Sequence, residues 1–251
     1  MKKSEGDEMS VPVDETVLAR LRAVDTPTIC NALERATGSR RSTGFTRHPV
    51  VCNNPALPAM VGYARCARIR AASPPHLSVD EIRANRMAYY DYVTRGPGPT
   101  VAVIEDTDWP NCMGAFWGEL QVAVHHGLGV AGALTNGLVR DLGALDPSFQ
   151  VVAGSVGPSH AFVHVIEIDV PVTILGLQIR PGDLIHADRH GAVNIPAEAA
   201  PGLPDGIDKA AAREKIIIDA ARTPGFTVDE LKAAWAEAEK LAGHWNMAKP
   251  R

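Results

Sequence analysis

Hydrophobic and polar positions near the N-terminus follow first a helical and then a strand period. Apolar residues at helical spacing predict a first helix over residues 13–23. The run Thr26-Pro27-Thr28 predicts the start of a second helix, because a hydroxyl group can cap the first turn and proline suits it. From Met60 to Arg70 apolar and polar residues alternate, which predicts a half-buried strand.

Helices and short strands follow one another through the rest of the chain. Residues 80–92 and 117–126 have helical spacing, whereas 100–105 (TVAVIE) and 129–135 (GVAGALT) have the composition of strands. A stretch rich in β-branched residues then predicts several strands over residues 161–188, and 208–241 predicts one or two helices. Strands between terminal helices indicate an α/β or α+β fold with a single core over residues 11–251, after ten disordered residues.

Composition and charge limit the classes of partner. The chain has 251 residues, 45% of them hydrophobic, and 25 basic against 29 acidic residues give a net charge of −4. This charge argues against nucleic-acid and membrane-surface binding. No long apolar run and a polar, acidic start predict a soluble, cytoplasmic protein. The four cysteines match neither a zinc spacing nor a disulfide scaffold, so we expect reduced thiols.

The segment GLGVAGALTNGLVRDLGAL, residues 127–145, is the first candidate for chemistry. We expect the turn Asn136-Gly137 to bring Arg140 and Asp141 out together at the end of a strand. Arginine presents a planar fork that matches a carboxylate, and aspartate can hold a hard divalent cation directly or through water. The alternative is a pair of surface charges with solvent partners, which is common for such dipeptides.

A second candidate is the glycine-bearing loop that enters the predicted helix at Gly118-Glu119-Leu120-Gln121. Free backbone N–H groups at a helix start can bind carboxylate or phosphate oxygens, and glycine permits close approach. The anion would then lie beside Glu119. Alternatively, the glycines only shape a turn and Glu119 complements the helix dipole.

Most histidines and lysines of the chain favour structural roles. No HExxH or comparable metal-binding pattern contains His125, His126, His160 or His186, and we keep only His160 and His186 as secondary acid or base candidates. Lysines of the polar C-terminal helix give little support for a Schiff-base mechanism.

Two long segments carry a family resemblance. GxxGAxTNGLVRD and PVTILGLQIRPGDLIHADRHGAVNIP resemble the RraA-like family, which includes class II 4-hydroxy-4-methyl-2-oxoglutarate/4-carboxy-4-hydroxy-2-oxoadipate aldolases. The similarity runs from about Thr26 to Gly225. It implies a β/β/α swivelling-domain-like (phosphohistidine-domain-like) fold, assembled as a homotrimer or homohexamer with active sites between subunits.

The same resemblance implies roles for individual residues. Arg140 matches the arginine that grips the pyruvyl carboxylate or keto group, and Asp141 matches the acid that anchors Mg²⁺ or Mn²⁺. Glu119 matches an acidic position that orients metal-bound water and proton transfer. Glu214 resembles a glutamate that reaches a neighbouring subunit's site. The backbone amides that receive the substrate carboxylate belong to Gly118, Leu120 and Gln121.

The resemblance thus implies a divalent-metal-dependent carbon–carbon lyase acting on a 2-oxo acid. Retro-aldol cleavage to pyruvate and oxaloacetate decarboxylation both leave an enolate, whose charge a divalent ion stabilises as a Lewis acid. Two alternatives stay open: a noncatalytic oligomeric regulator of a protein partner, and a lyase or hydrolase on an unrelated hydroxy acid.

Three departures from the family pattern concern the substrate more than the reaction class. Glu119 is one methylene longer than the family's Asp, and Asn136 stands where many relatives have Asp. The loop over residues 106–116 carries Trp109, Pro110 and Cys112. Together with residues 73–76 at the expected entrance, this loop is predicted to set specificity.

Overall fold

A computed structural model describes residues 12–241 of the chain. The predicted disordered segment at residues 1–10 lies outside the described residues. Within the described range, no helix is long and apolar enough to cross a bilayer.

The described residues form a mixed α/β fold whose helices occur mainly before and after the strands. The helices are α1 (Glu15–Arg22), α2 (Thr26–Thr37), α3 (Val79–Val93), α4 (Glu119–Gly127), α5 (Leu203–Ala221) and α6 (Val228–Lys240). The strands are β1 (Val51–Cys52), β2 (Met60–Arg70), β3 (Thr100–Asp106), β4 (Ala115–Trp117), β5 (Gly132–Thr135), β6 (Leu138–Val139), β7 (Gln150–Ala153), β8 (Ser155–Val156), β9 (His164–Ile168), β10 (Val172–Ile174), β11 (Leu177–Ile179), β12 (Leu184–Asp188) and β13 (Gly191–Ile195).

The main sheet is built around β2. Its strand order is β1-β7-β5-β3-β2-β12-β13, and β9 also pairs with β2. β2 runs parallel to β3 and antiparallel to both β12 and β9. The strands β3, β5 and β7 continue the parallel half of the sheet. The longest strand of the fold therefore lies inside the sheet, not at an edge.

The prediction of a half-buried β2 is wrong, because nearly every residue of the strand is buried. Neighbouring side chains point into different hydrophobic clusters: Cys66 packs in one and Ala67 in another. The buried Arg65 reaches main-chain acceptors, with its Nε 2.8 Å from the carbonyl oxygen of Arg95 and its Nη2 2.9 Å from that of Pro97. The polar residue Arg65 is thus a satisfied buried group and does not mark a solvent face.

The predicted helices are confirmed, with two local corrections. Asp25, not a threonine hydroxyl, caps α2, because its Oδ1 accepts a hydrogen bond from the backbone N–H of Thr28 at 2.9 Å. The helix expected over residues 117–126 begins at Glu119, since Trp117 belongs to β4.

A second, smaller sheet joins three very short parallel strands in the order β4-β6-β8. The strand predicted over residues 129–135 is β5, and the chain enters β6 only after the turn at Asn136-Gly137. Carboxyl ends of parallel strands meet at one edge of a sheet. This small sheet therefore brings the residues after β4 and after β6 together.

Candidate active site

The edge of the small sheet places the predicted Arg140 and Asp141 beside the loop at Gly118. Arg140 follows β6 directly, and its backbone N–H donates to the carbonyl oxygen of Trp117 at 2.9 Å. Gly118 follows β4 directly and caps the N-terminus of α4. The two candidate motifs, the Arg140-Asp141 pair and the loop at Gly118, therefore lie next to each other within one chain.

The Arg140 and Asp141 side chains contact each other and the start of α4. Arg140 Nε lies 3.6 Å from Asp141 Oδ2, and the same oxygen accepts a hydrogen bond from the Glu119 N–H at 3.2 Å. The two side chains are 34% and 33% exposed. Within residues 12–241 the Arg140 guanidinium has no charged partner other than Asp141. Both groups can still take up an external ligand.

Two backbone features hold this arrangement. A Cβ atom at Gly118 would lie 2.7 Å from Asp141 Oδ2 and 3.0 Å from Arg140 Nε, so a larger residue would displace the pair. Asp141 has a φ of 57°, in the left-handed region that few residues other than Gly, Asn and Asp adopt. Close packing and local strain meet at the predicted site, a combination that recurs at functional sites.

The first turn of α4 supplies backbone donors. Glu119 N–H is bound to Asp141, whereas the N–H groups of Leu120 and Gln121 have no acceptor within the helix because they belong to its first turn. The N-cap Gly118 has no side chain to satisfy them. The Glu119 and Leu120 side chains are exposed. These amides are free to receive an anionic oxygen, and their role in binding a substrate carboxylate stays a prediction.

A cavity of about 400 Å³ begins at this edge. Gly118, Leu120, Gln121 and Arg140 line it, whereas Asp141 and Glu119 are not among the lining residues. The cavity is also lined by residues of α3, by the loop after β8 and by the start of β9, including Tyr89, Tyr90, Phe162, Val163 and Val165. Pro75, in the predicted entrance, also lines the cavity.

Sequence reasoning retained His160 as a secondary candidate but missed α3 and residues 161–165 as walls of the site. Their side chains come from segments that are distant in sequence from Arg140, and neither segment carries a motif for chemistry. The one available signal was the aromatic run Tyr89-Tyr90 on a helix otherwise rich in polar residues.

His125 is a core residue next to this cavity. Its Nε2 lies 2.7 Å from the Tyr89 hydroxyl, and its Nδ1 lies 2.7 Å from the Gln121 carbonyl oxygen. Burial lowers the pKa of the His125 imidazole to about 4, so the ring is neutral near pH 7. It therefore supports α4 and Tyr89 and does not face the cavity.

The other candidate histidines fall into different environments. His126 is exposed and pairs with Asp146, with Nδ1 2.8 Å from Oδ2. His160 lines the cavity and lies at its exposed side. His186, a residue of β12, is fully buried against the N-terminal helices, where burial lowers the pKa of its imidazole. His186 thus has no access to the site, whereas His160 keeps that access.

Asp106, at the end of β3, and Asn136, in the turn between β5 and β6, form a buried hydrogen-bonded pair. The Asn136 side chain accepts from the Asp106 N–H at 2.7 Å and donates to the Asp106 carbonyl oxygen at 3.1 Å. Burial raises the pKa of the Asp106 carboxyl group and raises that of the Cys112 thiol to about 12. The asparagine at position 136, where many relatives have Asp, therefore has a structural explanation: its side-chain amide hydrogen-bonds both the N–H and the carbonyl oxygen of Asp106.

Glu214 lies apart from this group within the chain. Its Oε1 accepts from Asn31 Nδ2 at 3.1 Å, and its helix α5 packs against α2 and α6. A role for Glu214 at a neighbouring subunit's site stays a prediction. In the part of the chain that the structure describes, no group of three or more His, Cys, Asp or Glu side chains is arranged to hold a metal.

Comparisons with known proteins identify the family. The family model described as RraA-like, Aldolase/RraA, matches residues 26–194, and this chain belongs to the RraA-like family. The resemblance found in the sequence is thereby confirmed. Glu214 lies beyond the matched residues.

One sequence relative and two solved structures are similar to this chain. A Halalkalibacterium halodurans protein named "Putative 4-hydroxy-4-methyl-2-oxoglutarate aldolase" is 28% identical over 181 residues, covering 71% of this chain and 76% of that protein. An uncharacterized protein from Pseudomonas syringae pv. tomato has a TM-score of 0.66 and 21% identity, covering 92% of this chain and 99% of its own. Streptomyces coelicolor RraAS2 is described as an unusual member of the RNase ES inhibitor RraA protein family. It has a TM-score of 0.61 and 23% identity, and the match covers 84% of this chain and 98% of that chain. The two structures establish the predicted mixed α/β fold.

Proposed function

We propose that this protein is a lyase that breaks a carbon–carbon bond next to the carbonyl group of a 2-oxo acid and releases pyruvate. The observation that carries the proposal is the meeting of a guanidinium, a carboxylate and free helix amides at the mouth of one cavity. The aldolase name of the Halalkalibacterium relative agrees with this class of reaction.

The donor set fits a magnesium ion held largely through water. Mg²⁺ is usually bound by one or two carboxylates and keeps several water ligands, so it does not require a cluster of three acidic side chains. Asp141 offers a partly exposed carboxylate, and Glu119, whose backbone N–H donates to Asp141, adds a second, exposed carboxylate at the start of α4. When bound, the ion supplies a Lewis acid for the keto oxygen of the substrate.

The protein's own residues bind and orient the 2-oxo acid. The free amides of Leu120 and Gln121 receive the substrate carboxylate, and the Arg140 guanidinium lies beside the keto oxygen. Negative charge grows on that oxygen as the neighbouring bond breaks, and a fixed cation stabilises this charge. Glu119 holds the proton that leaves the hydroxyl of the other fragment.

Assembly and location complete the proposal. A trimer or hexamer would place Glu214 at the Arg140 site of a neighbouring subunit, and cytoplasmic location remains a prediction. The measurement that addresses assembly is the molar mass in solution, combined with activity of mixed oligomers carrying Glu214→Gln and Asp141→Asn in different subunits. Recovery of activity in the mixture is the expected outcome for a shared site.

The reaction is tested by pyruvate release from oxaloacetate with Mg²⁺ and with EDTA, corrected for the reaction without protein. Asp141→Asn keeps the shape and the left-handed backbone but removes the charge, so we expect a loss of roughly 100- to 1000-fold. The matched control Asp229→Asn changes an exposed acid on α6 and should retain activity. Pyruvate release by Asp141→Asn at the wild-type rate would refute the site. Absence of release by the wild type from oxaloacetate and from 4-hydroxy-2-oxo acids would favour the noncatalytic alternative.

A further inference from the structure

The proposed cleavage includes a proton transfer to C3, for which Glu119 is poorly placed. Breaking the bond next to the carbonyl group leaves its electron pair on C3 of an enolate. C3 must then gain a proton to become the methyl group of pyruvate. Glu119 takes the proton of the departing fragment in the proposed reaction, and its side chain is not among those that line the cavity. The cavity wall itself holds other groups that transfer protons.

The ionisable groups of the cavity wall are arginine, histidine and tyrosine. Among the described residues that line the cavity, none is Asp or Glu. Arg86 and Arg140 stay protonated, because a guanidinium does not release its proton in proteins. The two imidazoles are those of His160 and His164. Histidine is the side chain that most readily gains and loses a proton near neutral pH.

Both tyrosine hydroxyls of the wall are already hydrogen-bonded to the protein. The Tyr89 hydroxyl lies 2.7 Å from His125 Nε2, and burial raises the pKa of this hydroxyl well above its usual value. The Tyr90 hydroxyl donates to Gln121 Oε1 at 2.9 Å. The two lining histidines are therefore the groups of the wall best suited to proton transfer.

One nitrogen of the His160 ring is bound and the other is free. Nδ1 lies 2.7 Å from the carbonyl oxygen of Ala161, and since a carbonyl only accepts, Nδ1 carries a hydrogen and donates it. Within residues 12–241, His160 Nε2 has no hydrogen-bond partner. This nitrogen therefore accepts and returns a proton without breaking the bond that orients the ring. The side chain is exposed, so it exchanges protons with water.

A strained turn holds the carbonyl group that orients this ring. Ala161 has a φ of 44°, in the left-handed region that alanine rarely adopts. The Ala161 N–H donates to Ser159 Oγ at 3.0 Å, and the Val163 N–H donates to the His160 carbonyl oxygen at 3.0 Å. Hydrogen bonds on both sides thus maintain the strained residue next to His160. Backbone strain of this kind recurs at functional sites.

The same turn packs on β4, the strand that leads to Gly118. The Ala115 N–H donates to the Ser159 carbonyl oxygen at 2.8 Å, and a Cβ atom at Gly114 would collide with the His160 carbonyl oxygen. His160 and the amides of α4 therefore lie at opposite ends of a three-residue strand, which spans about 10 Å. An oxo acid on the amides and the imidazole side chain extend into the cavity from these two ends.

His164 provides a comparison inside the same cavity. Its Nδ1 lies 2.8 Å from the Phe162 carbonyl oxygen, so its Nε2 is the free nitrogen, as in His160. However, His164 begins β9 and lies opposite Arg70 of β2, whereas β4 belongs to the small sheet. Contact with β4 therefore distinguishes His160 from His164.

We propose, on the basis of the lyase function above, that His160 is the acid that protonates C3 of the enolate. The bond between C3 and the departing carbon breaks, and its electron pair stays with C3. The proton on Nε2 of the imidazolium then transfers to C3 and forms the methyl group of pyruvate. The ring becomes neutral, keeps its Nδ1–H bond to Ala161, and regains a proton from water. No oxidant or reductant is required.

The direct test follows the methyl protons of pyruvate in D₂O by NMR, in buffer containing Mg²⁺. A residue that protonates C3 also removes a proton from pyruvate in the reverse direction, so the wild type should exchange these protons for deuterium. We expect His160→Gln to lower the exchange rate by about 100-fold or more, the usual contribution of a general acid or base. Oxalate, an analogue of the enolate, should bind His160→Gln as tightly as the wild type in titration calorimetry.

Two matched variants and a rescue experiment locate the proton transfer. His164→Gln makes the same change inside the cavity, and His126→Gln makes it at an exposed histidine paired with Asp146; both should exchange at the wild-type rate. His160→Ala should be inactive in exchange, and added imidazole should restore the exchange by about tenfold or more, since a free base replaces the missing one. A merely structural role of His160 would not respond to imidazole. An equal loss in His164→Gln would overturn the assignment to His160.

The outcomes separate the two proposals. Pyruvate release by the wild type, with undiminished exchange in His160→Gln or with no exchange in the wild type, refutes the role of His160 and keeps the lyase. Weaker oxalate binding by His160→Gln together with lost exchange would assign His160 to binding and overturn its role as the acid. Neither release nor exchange by the wild type refutes both. If His160→Gln does not fold, as judged by circular dichroism, His160→Ala with and without imidazole decides.

Discussion

Two polar clusters of this protein contain similar residue types but differ in how their polar groups are satisfied. The Arg140 cluster consists of Arg140, Asp141 and the first-turn amides of α4, and the His186 cluster consists of Thr26, His186 and Asp188. In the His186 cluster all three residues are buried. In the Arg140 cluster about a third of each charged side chain is exposed.

Hydrogen bonds inside the His186 cluster occupy its groups completely. His186 Nδ1 lies 3.0 Å from Thr26 Oγ1, and its Nε2 lies 3.1 Å from the Leu21 carbonyl oxygen. Asp188 accepts from the Thr26 N–H at 2.9 Å and from the His190 N–H at 2.8 Å. By contrast, the amides of Leu120 and Gln121 and the Arg140 guanidinium keep donors for a ligand. Satisfaction of polar groups, not residue type, therefore separates a structural cluster from a candidate site.

The largest effect on stability is expected at the His186 cluster. His186→Ala leaves a cavity and removes the partner of Thr26, so the free energy of unfolding should fall by about 2–4 kcal/mol. Urea unfolding measures this change, and the lyase activity per folded molecule should stay at the wild-type value. His126→Ala, an exposed histidine, serves as the control with a change below about 1 kcal/mol. An unchanged stability of His186→Ala would contradict the structural assignment.

A smaller effect is expected from pH, through His125. The folded state holds this imidazole neutral with a pKa of about 4, against 6.5 for an ordinary histidine. Unfolding at pH 5 therefore takes up a proton, and the stability present above pH 6.5 is lost as the pH falls toward 4. His125 alone should lower the free energy of unfolding by about 2 kcal/mol between pH 7 and pH 5.

His125→Gln isolates this contribution. The pH-dependent loss measured by urea unfolding should shrink by about 2 kcal/mol in the variant, while the contributions of His186 and the carboxylates remain. An identical loss in the wild type and in His125→Gln would show that His125 is not held neutral. The result decides whether a histidine beside the candidate site behaves like the buried cluster.

The smallest effect is expected from Gly118→Ala, which probes the Arg140 cluster alone. The backbone of Gly118 is extended, with φ of −157°, so alanine is compatible with it, but the new methyl group would displace Asp141 and Arg140. We expect kcat/KM to fall roughly tenfold with little change in stability. Gly127→Ala, where a Cβ would meet open space, is the control. Equal kinetics of the two variants would show that close packing of the pair is not needed.

Hydrophobic periodicity predicted the long helices and strands. The position of Arg140 beside Asp141 follows from the sequence itself. The helices, β2 and β3 are long enough for their hydrophobic spacing to be read from the sequence, and Arg140 and Asp141 are neighbours in the chain. The small sheet was missed because β6 and β8 have two residues each, too few for a period. The order of elements around the site therefore required the structure.

Long-range packing explains the other errors. β2 was predicted to have a solvent face because its arginines read as polar positions, but Arg65 bonds carbonyl oxygens some 30 residues away. This part of the cavity wall was missed for the same reason, since Tyr89, Phe116 and Val165 meet only through the fold. Residues that act through distant contacts carry no local signal in a single sequence.

The left-handed backbone at Asp141 makes this position a marker for sorting chains of this fold. Asn or Gly could take the same conformation without strain, so a protein that no longer performs the reaction could lose the carboxylate and keep its architecture. Retention of Asp under that freedom would indicate selection on the charge itself. Under the proposed lyase function, the residue at this turn is expected to differ between the lyases and the noncatalytic members of the family.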